Sequence, residues 1–418
     1  MRTFTRLLGI AAALSVIFEV AHAQDHDRIA QWREDIAYYH SALEDRHINL
    51  YHAISKESFT SELDRLSDAV PDLADDEIVF EMMRITRLID DGHTQFPIMG
   101  GPHQHFPVRF RLFDSEIRVE ATSDQFSDML GAKLVAIDGT PVDDILRILR
   151  PVAQPAENAY GLLSSLALHL TVDELLYAAG ITSKLGEATF TFDDKSGARK
   201  AYTMASVPMA EFAEATKHRI RPLHAFTEAD IVLSDQLWLQ TDRATQTAYL
   251  YFAGYPSFDE MLTFAAQVRE RLDADTVNHL IIDLRDNGGG DFYLGLVLSS
   301  EILLADTIDW QNGVYILVGR HTFSAAMSNA VQFRQILNGL LVGEPTGGNP
   351  VAYAEGDAFH LPHSGRMVMY SKRLYRFQDQ STEGVQPDIL VETSVDSFLS
   401  GADPEIDWVL GDIARNDR

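Results

Sequence analysis

The chain has 418 residues and a formal net charge of −28, with 46% hydrophobic and 23% charged residues. This composition is typical of a folded protein of about two or three domains, and the negative charge argues against nucleic acids and anionic membranes as partners. The chain contains no cysteine, which excludes disulfides, a cysteine nucleophile and thiolate metal ligands.

Residues 1–23 have the features of a secretory signal peptide. Two arginines precede a short apolar run over 7–18, and the small-x-small sequence Ala21-His22-Ala23 precedes Gln24. The apolar run is too short to span a membrane. We therefore expect cleavage after Ala23, a periplasmic or secreted protein, and no membrane insertion once the signal is removed.

Residues 24–100 are predicted to form an N-terminal helical domain. Apolar residues recur at intervals of three and four from Ile29 to Leu43, which marks one buried helix face. Asp75 and Asp76 are suited to cap a further helix over 78–89.

Residues 105–225 are predicted to form a small β-rich middle domain. Apolar and polar residues alternate over 108–112 and 117–119, and the turn Asp138-Gly139 follows a further apolar strand. With the helix predicted over 142–149, this segment resembles the carboxylate-loop half of a PDZ domain.

Residues 229–418 are predicted to form an α/β core in which strands and helices alternate. The predicted strands are 248–253, 280–284, 314–318 and 340–342, and the predicted helices are 258–272, 292–304 and 325–337. This order implies a mainly parallel sheet with helices packed on it. Ligands of such sheets bind beyond the carboxyl ends of the strands, so the loops after 280–284 and 314–318 can share one cleft.

These two loops carry the residues that we expect to perform acyl chemistry. Ser324 begins a predicted helix among small residues, where the N–H of Ala325 would point at a developing oxyanion. Gly289 or Gly290 would supply the second donor, because glycine lets the backbone approach the substrate closely. The same patterns are also typical of a helix-capping serine and of a tight turn.

A serine nucleophile needs a base, and His93 in the turn 91–94 is a candidate because a histidine accepts a proton near neutral pH. Glu383, in a polar turn before a strand, is a candidate to orient that imidazole. His321 is one of several competing histidines. The pairs His103/His105 and His360/His363 are candidate metal ligands, although the His-Glu-x-x-His pattern is absent.

Four segments together resemble the tail-specific (C-terminal processing) serine peptidase family. In chain order they are Ile-Asp-Leu-Arg-Asp-Asn-Gly-Gly-Gly at 282–290, Thr-Phe-Ser-Ala-Ala at 322–326, Gly-Glu-Pro-Thr-Gly-Gly at 343–348 and Glu-Gly-Val-Gln-Pro-Asp-Ile at 383–389. The resemblance covers about residues 230–410. It implies a crotonase/ClpP-like β/α spiral core, a polypeptide substrate, hydrolysis through an acyl-enzyme, and no cofactor.

The sequence departs from this family at one informative position. Members with a Ser–Lys dyad carry the lysine where this chain has Asn349, and an asparagine is not a general base. The family also includes a Ser–His–Glu version, as in the tricorn protease core. The resemblance then assigns the nucleophile to Ser324, the base to His93, the orienting acid to Glu383, and the oxyanion hole to Ala325 with Gly289 or Gly290. Lys372 stays open as a substitute base.

A second function stays open as well. The resemblance extends to the modules of the interphotoreceptor retinoid-binding protein, which bind apolar ligands without catalysis. The alternative to a peptidase is therefore a non-catalytic protein that binds apolar ligands or peptides on the same scaffold. The oligomeric state is not predicted.

Overall fold

The structure, a computed structural model, describes residues 26–113, 116–222 and 226–416. The predicted signal peptide and its cleavage site after Ala23 lie outside these ranges. Within them, no helix has both the length and the apolar character needed to cross a membrane.

Three helices form the N-terminal region: α1 (26–46), α2 (Lys56–Ala69) and α3 (Asp75–Arg87). The apolar side chains that recur along α1, including Trp32 and Leu43, are buried as expected. Helix α3 begins three residues before the predicted start. The reason is that the Glu77 carboxylate accepts a hydrogen bond from the N–H of Ala74 at 2.7 Å, which satisfies a free donor at the helix start.

The middle region contains short strands around an antiparallel sheet together with four helices. In chain order its elements are β1 (Gln104–His105), β2 (Val108–Leu112), β3 (Ile117–Thr122), β4 (Lys133–Ile137), β5 (Thr140–Pro141), α4 (Val142–Leu149), α5 (Ala159–His169), α6 (Asp173–Ala178), β6 (Glu187–Asp193), β7 (Arg199–Ala205), β8 (Val207–Pro208), α7 (Met209–Ala215) and β9 (His218–Arg219). The main sheet has the order β2-β3-β4-β6-β7. Helices α5 and α6 were not predicted, and the loop between α4 and α5 contributes to the site described below.

Residues 231–416 form the α/β core. Its elements are β10 (Ile231–Ser234), β11 (Leu237–Asp242), β12 (Thr247–Phe252), α8 (Phe258–Ala274), β13 (His279–Asp283), α9 (Phe292–Ile302), β14 (Val314–Val318), α10 (Ala325–Ile336), β15 (Leu340–Gly343), β16 (Val351–His360), β17 (Met367–Arg376), β18 (Ile389–Leu390), α11 (Val395–Ser400) and α12 (Pro404–Asn416). The sheet order is β10-β11-β12-β13-β14-β15-β18. Pairing is parallel from β12 to β18, which confirms the expected α/β fold class with N-terminal helices.

Side-chain alternation explains why both faces of this sheet are covered. On β13, Leu280 and Ile282 belong to the apolar cluster formed with α8, α9 and α10. The intervening Ile281 belongs to the cluster on the opposite face, with Ile406 and Val409 of α12. Every residue of β13 and β14 is buried. Because the two strands pair in parallel, both end in loops at the same edge of the sheet.

The long hairpin β16–β17 was not predicted, and it joins the α/β core to the N-terminal helices. Gln95 and Met369 exchange backbone hydrogen bonds at 3.0 and 2.9 Å. Buried Asp35 of α1 accepts the N–H groups of His363 and Ser364 in the hairpin turn. The hairpin therefore holds the chain just after residue 93 against the core.

One apolar cluster runs through the N-terminal helices, the middle sheet and this hairpin. Phe59 of α2, Phe106 before β2, Phe190 of β6 and Val368 of β17 are all buried in it. The division of the chain at residues 100–105 and 225–229 stays a prediction.

Candidate active site

Ser324 occupies a sharp strand-to-helix turn between β14 and α10. It is the residue immediately before α10, and its backbone has φ 52° and ψ −121°, an unusual conformation for a residue other than glycine. Buried Thr322 supports the turn by donating to the carbonyl of Leu284 at 2.8 Å. The N–H of Phe323 donates to the carbonyl of Asn287 at 3.1 Å. The turn is thus fastened to the neighbouring loop that follows β13.

The glycine loop after β13 lies directly against the serine. At Gly289 the φ angle is +114°, and a Cβ there would lie 2.7 Å from Ser324 Cβ. Only glycine tolerates this conformation and this approach. Asn287 is fully buried and shapes the loop, because it donates to the carbonyl of Phe252 at 2.8 Å and accepts the N–H of Gly289 at 2.9 Å.

The structure corrects one expected oxyanion donor. The N–H of Gly289 is already used by the Asn287 side chain, so Gly289 serves close packing instead. Across the three described ranges, the N–H groups of Gly290 and Ala325 have no hydrogen-bond acceptor. These two groups stay available to a ligand.

His93 and Ser324 meet although 231 residues separate them. His93 Nε2 lies 2.9 Å from Ser324 Oγ. The ring stacks on Phe323 with centroids 4.8 Å apart, and the His93 N–H donates to Asp91 Oδ1 at 2.9 Å. Asp91 in turn accepts His47 Nε2 at 3.0 Å with both side chains fully buried. The imidazole is therefore held in place by the hydrogen bond of the His93 backbone and by the Phe323 ring stacked on one of its faces.

The acid beside the imidazole is Glu157, not Glu383. Glu157 Oε1 lies 3.1 Å from His93 Nδ1, and the carboxylate side chain is only 4% exposed. Because an ionised carboxylate only accepts hydrogen bonds, Nδ1 carries the proton and Nε2 keeps the lone pair that faces Ser324. Gly92 allows this approach, since a Cβ there would lie 2.4 Å from Glu157 Cγ. Glu383 has an exposed side chain, which corrects its expected role.

Asn349, at the position of the lysine in Ser–Lys relatives, holds Glu157 in place. Its N–H donates to Glu157 Oε2 at 2.6 Å, and its Nδ2 donates to the Glu157 carbonyl at 3.0 Å. Its Oδ1 accepts from Asn158 Nδ2 at 2.9 Å and from Gly384 N–H at 2.8 Å. Every polar group of this side chain is therefore engaged.

The surroundings of the site raise the pKa of His93 and lower the pKa of Asp91. Burial alone would lower the pKa of His93, but the hydrogen bond and charge of Glu157, with the charge of Asp91, raise that pKa above its ordinary value. Burial opposes the charge on Asp91 as well. Hydrogen bonds from His47, Thr94 and the His93 N–H outweigh burial and hold the pKa of Asp91 below its usual range.

The other sequence candidates lie elsewhere. Lys372 Nζ pairs with Asp357 at 3.2 Å on the outer part of the hairpin. His321 lines a separate charged cavity with Arg285 and Arg320. Among the described residues, the one group with the spacing of metal ligands is Asp91, His93 and Glu157. The pairs His103/His105 and His360/His363 do not belong to it.

Comparisons with known proteins bear on the family and on the fold. Residues 299–391, which include Ser324 and Asn349, match the profile of "Peptidase family S41". The fold is similar to the crystal structure of mature CPAF, with a TM-score of 0.65 and 13% identity over 93% of this chain and 98% of that one. It is also similar to mature CPAF complexed with lactacystin, with a TM-score of 0.64 and 13% identity over 92% and 98% of the two chains. At this identity the likeness concerns the fold.

Proposed function

We propose that the chain, whose residues 299–391 match the profile of peptidase family S41, is a serine-type peptidase of that family. In this proposal Ser324 is the nucleophile, His93 the general base and Glu157 the acid that orients the base. The observation that carries this proposal is the 2.9 Å contact between His93 Nε2 and Ser324 Oγ. The hydrogen bond from His93 Nδ1 to Glu157 completes a relay of the kind used in acyl transfer.

In the proposed reaction, Ser324 Oγ attacks the carbonyl carbon of the scissile peptide bond while His93 Nε2 takes the hydroxyl proton. The N–H groups of Ala325 and Gly290 stabilise the negative charge that develops on the carbonyl oxygen. When the C–N bond breaks, Nε2 returns the proton to the departing amine and an acyl-Ser324 ester remains. A water molecule then repeats the attack with the same base, which releases the acid and restores the serine.

The backbone of Ser324 supports this role. A residue other than glycine in this conformation costs on the order of 1–3 kcal/mol, and strand-to-helix turns of this kind expose the serine hydroxyl at the end of a sheet in other hydrolases. Thr322 and Asn287 hold the turn through their hydrogen bonds. The strain is therefore maintained by buried contacts rather than relaxed.

The substrate we propose is a polypeptide, and the enzyme is proposed to act after export. The support for export is the basic, apolar and small-x-small pattern of residues 1–23. The complete Ser–His–Glu relay favours catalysis over the alternative of a non-catalytic binder.

Labelling with a fluorophosphonate tests the proposal, since this probe reacts with an activated serine and needs no known substrate. Wild type and the control Ser300→Ala, which removes an exposed serine of α9, should be labelled equally. Ser324→Ala should not be labelled, and mass spectrometry should locate the adduct on Ser324. Equal labelling of Ser324→Ala and wild type would refute the assignment of the nucleophile.

A further inference from the structure

Four aromatic side chains from two segments, the start of α9 and the end of β17, meet beside the glycine loop. We refer to Phe292, Tyr293, Tyr375 and Phe377 as the aromatic patch. Phe292 stacks on Tyr293 with centroids 4.2 Å apart, and its ring lies edge-on to Tyr375 and Phe377, at 5.9 Å from each. Tyr375 and Phe377 stack on each other at 5.4 Å. The four rings thus form a continuous aromatic surface.

This surface is open to solvent rather than sealed inside a core. Tyr293 is 57% exposed, and Phe292, Tyr375 and Phe377 are all half-buried. Aromatic rings that served only to pack the hairpin onto α9 would be expected to be covered. Four contacting rings with accessible faces instead provide apolar area that a ligand can cover.

The glycine loop places one end of the patch close to the nucleophile. The position of a Cβ on Gly289 lies 2.7 Å from Ser324 Cβ. Phe292 follows three residues later, and three residues span at most about 11 Å of extended chain. Phe292 also touches the nucleophile's own helix, because Asn329 Nδ2 of α10 donates to its carbonyl at 2.9 Å.

The loop of Asn349 places the other end of the patch on the same side. The N–H of Phe377 donates to the carbonyl of Pro350 at 2.8 Å. Pro350 directly follows Asn349, whose N–H donates to Glu157 at 2.6 Å. The patch is therefore attached both to the loop that faces the serine and to the loop that holds the orienting acid.

We infer that the aromatic patch binds a large apolar or aromatic side chain of the polypeptide substrate, within about three residues of the scissile bond. This inference rests on the proposed function. The distance follows because an extended peptide advances about 3.3 Å per residue, so a chain lying across Ser324 reaches the patch within that number of residues. The patch gives the enzyme a preference for apolar segments, which folded substrates bury and unfolded ones expose.

Cleavage of denatured casein, mapped by mass spectrometry, tests this preference with the full enzyme. In the wild type, Phe, Tyr, Trp, Leu or Met should be enriched at one position within three residues of the cleaved bonds. Tyr293→Ala, which removes the most exposed ring, should reduce that enrichment about tenfold, as expected for the loss of an apolar pocket contact. The exposed tyrosine of α6 provides the control, because Tyr177→Ala should leave the enrichment unchanged.

Fluorophosphonate labelling of the same variants separates the two proposals. Equal labelling of wild type and Tyr293→Ala, with altered cleavage positions, supports the inference. Intact labelling with no apolar enrichment, or with enrichment that Tyr293→Ala leaves unchanged, overturns the inference but not the nucleophile. Intact labelling without casein cleavage also overturns the inference. A change of oligomeric state in Tyr293→Ala overturns it as well, since a second copy of the chain would then cover the patch in the wild type. The labelling of Ser324→Ala tests the assignment of the nucleophile and not the role of the aromatic patch.

Discussion

Replacing Glu157 by glutamine tests the proposed relay most sharply, because the carboxylate must accept two N–H groups at once. One comes from His93 Nδ1 at 3.1 Å and the other from the Asn349 backbone at 2.6 Å. A glutamine offers one accepting oxygen and one donating amide. The backbone N–H of Asn349 cannot change, and leaving such a buried donor unpaired costs about 1–3 kcal/mol. We therefore expect the oxygen to face Asn349 and the amide to face His93.

That arrangement reverses the protonation of the imidazole. With an amide N–H pointing at Nδ1, the proton moves to Nε2, which can no longer accept the proton of Ser324. An equivalent change of tautomer in a serine protease triad lowers the rate about 10⁴-fold, equivalent to about 5 kcal/mol of activation free energy. We expect a loss of this size in the rate of fluorophosphonate labelling and in casein cleavage by Glu157→Gln, with little change in the thermal unfolding midpoint.

Glu383→Gln is the matched control, because its exposed carboxylate should be replaceable at no cost. If Glu157→Gln kept labelling within tenfold of wild type, the reasoning from the two donors would be wrong. If Glu383→Gln instead showed the loss, the original assignment from the family resemblance would be correct.

Three further results follow from the same geometry. Gly289→Ala should slow labelling at least about 100-fold and lower the free energy of unfolding by roughly 1–3 kcal/mol, because the new Cβ meets Ser324 Cβ; an unchanged rate would contradict the observed approach. The labelling rate of the wild type should rise with pH through a midpoint above 6.5, since the raised pKa of His93 keeps the base protonated at lower pH; a midpoint below 6.5 would contradict the stated effect of Glu157. Because folding raises that pKa, the stability that protonated His93 gains from Glu157 should be fully present below about pH 6.5 and disappear as pH rises through the folded pKa. The free energies of unfolding of wild type and His93→Gln, measured by denaturant titration, should therefore converge in alkaline buffer.

The α/β core could be predicted because its signals are local. The strand over Val314–Val318 has its predicted bounds, and the strand and helix ends around 248–304 differ by one or two residues, as hydrogen bonding at helix ends usually allows. Continuous apolar runs mark strands covered on both faces, and such runs need no knowledge of distant residues.

The acid of the site could not be predicted, because no local signal marks it. Glu157 lies in an irregular loop between α4 and α5, and a glutamate in a polar loop is usually a solvated side chain. Only contacts distant in the chain distinguish it, through His93 and Asn349. The nearest usable signal is Asn158, which directly follows Glu157. Its side chain caps α5 by accepting the Gly161 N–H at 2.9 Å, and this cap fixes where the helix begins.

Position 349 shows how one scaffold can hold either kind of base. A lysine there would bring a cation and a long side chain to the loop that faces Ser324. Asn349 instead has a short side chain with two hydrogen-bond donors and one acceptor. Those groups bind the Glu157 carbonyl, Asn158 and the Gly384 N–H. In the proposed relay His93 supplies the base from the N-terminal region, which leaves the residue at 349 free to position the acid instead. If the proposed relay is correct, the departure from the Ser–Lys pattern and the buried glutamate beside the imidazole are two consequences of one change of base.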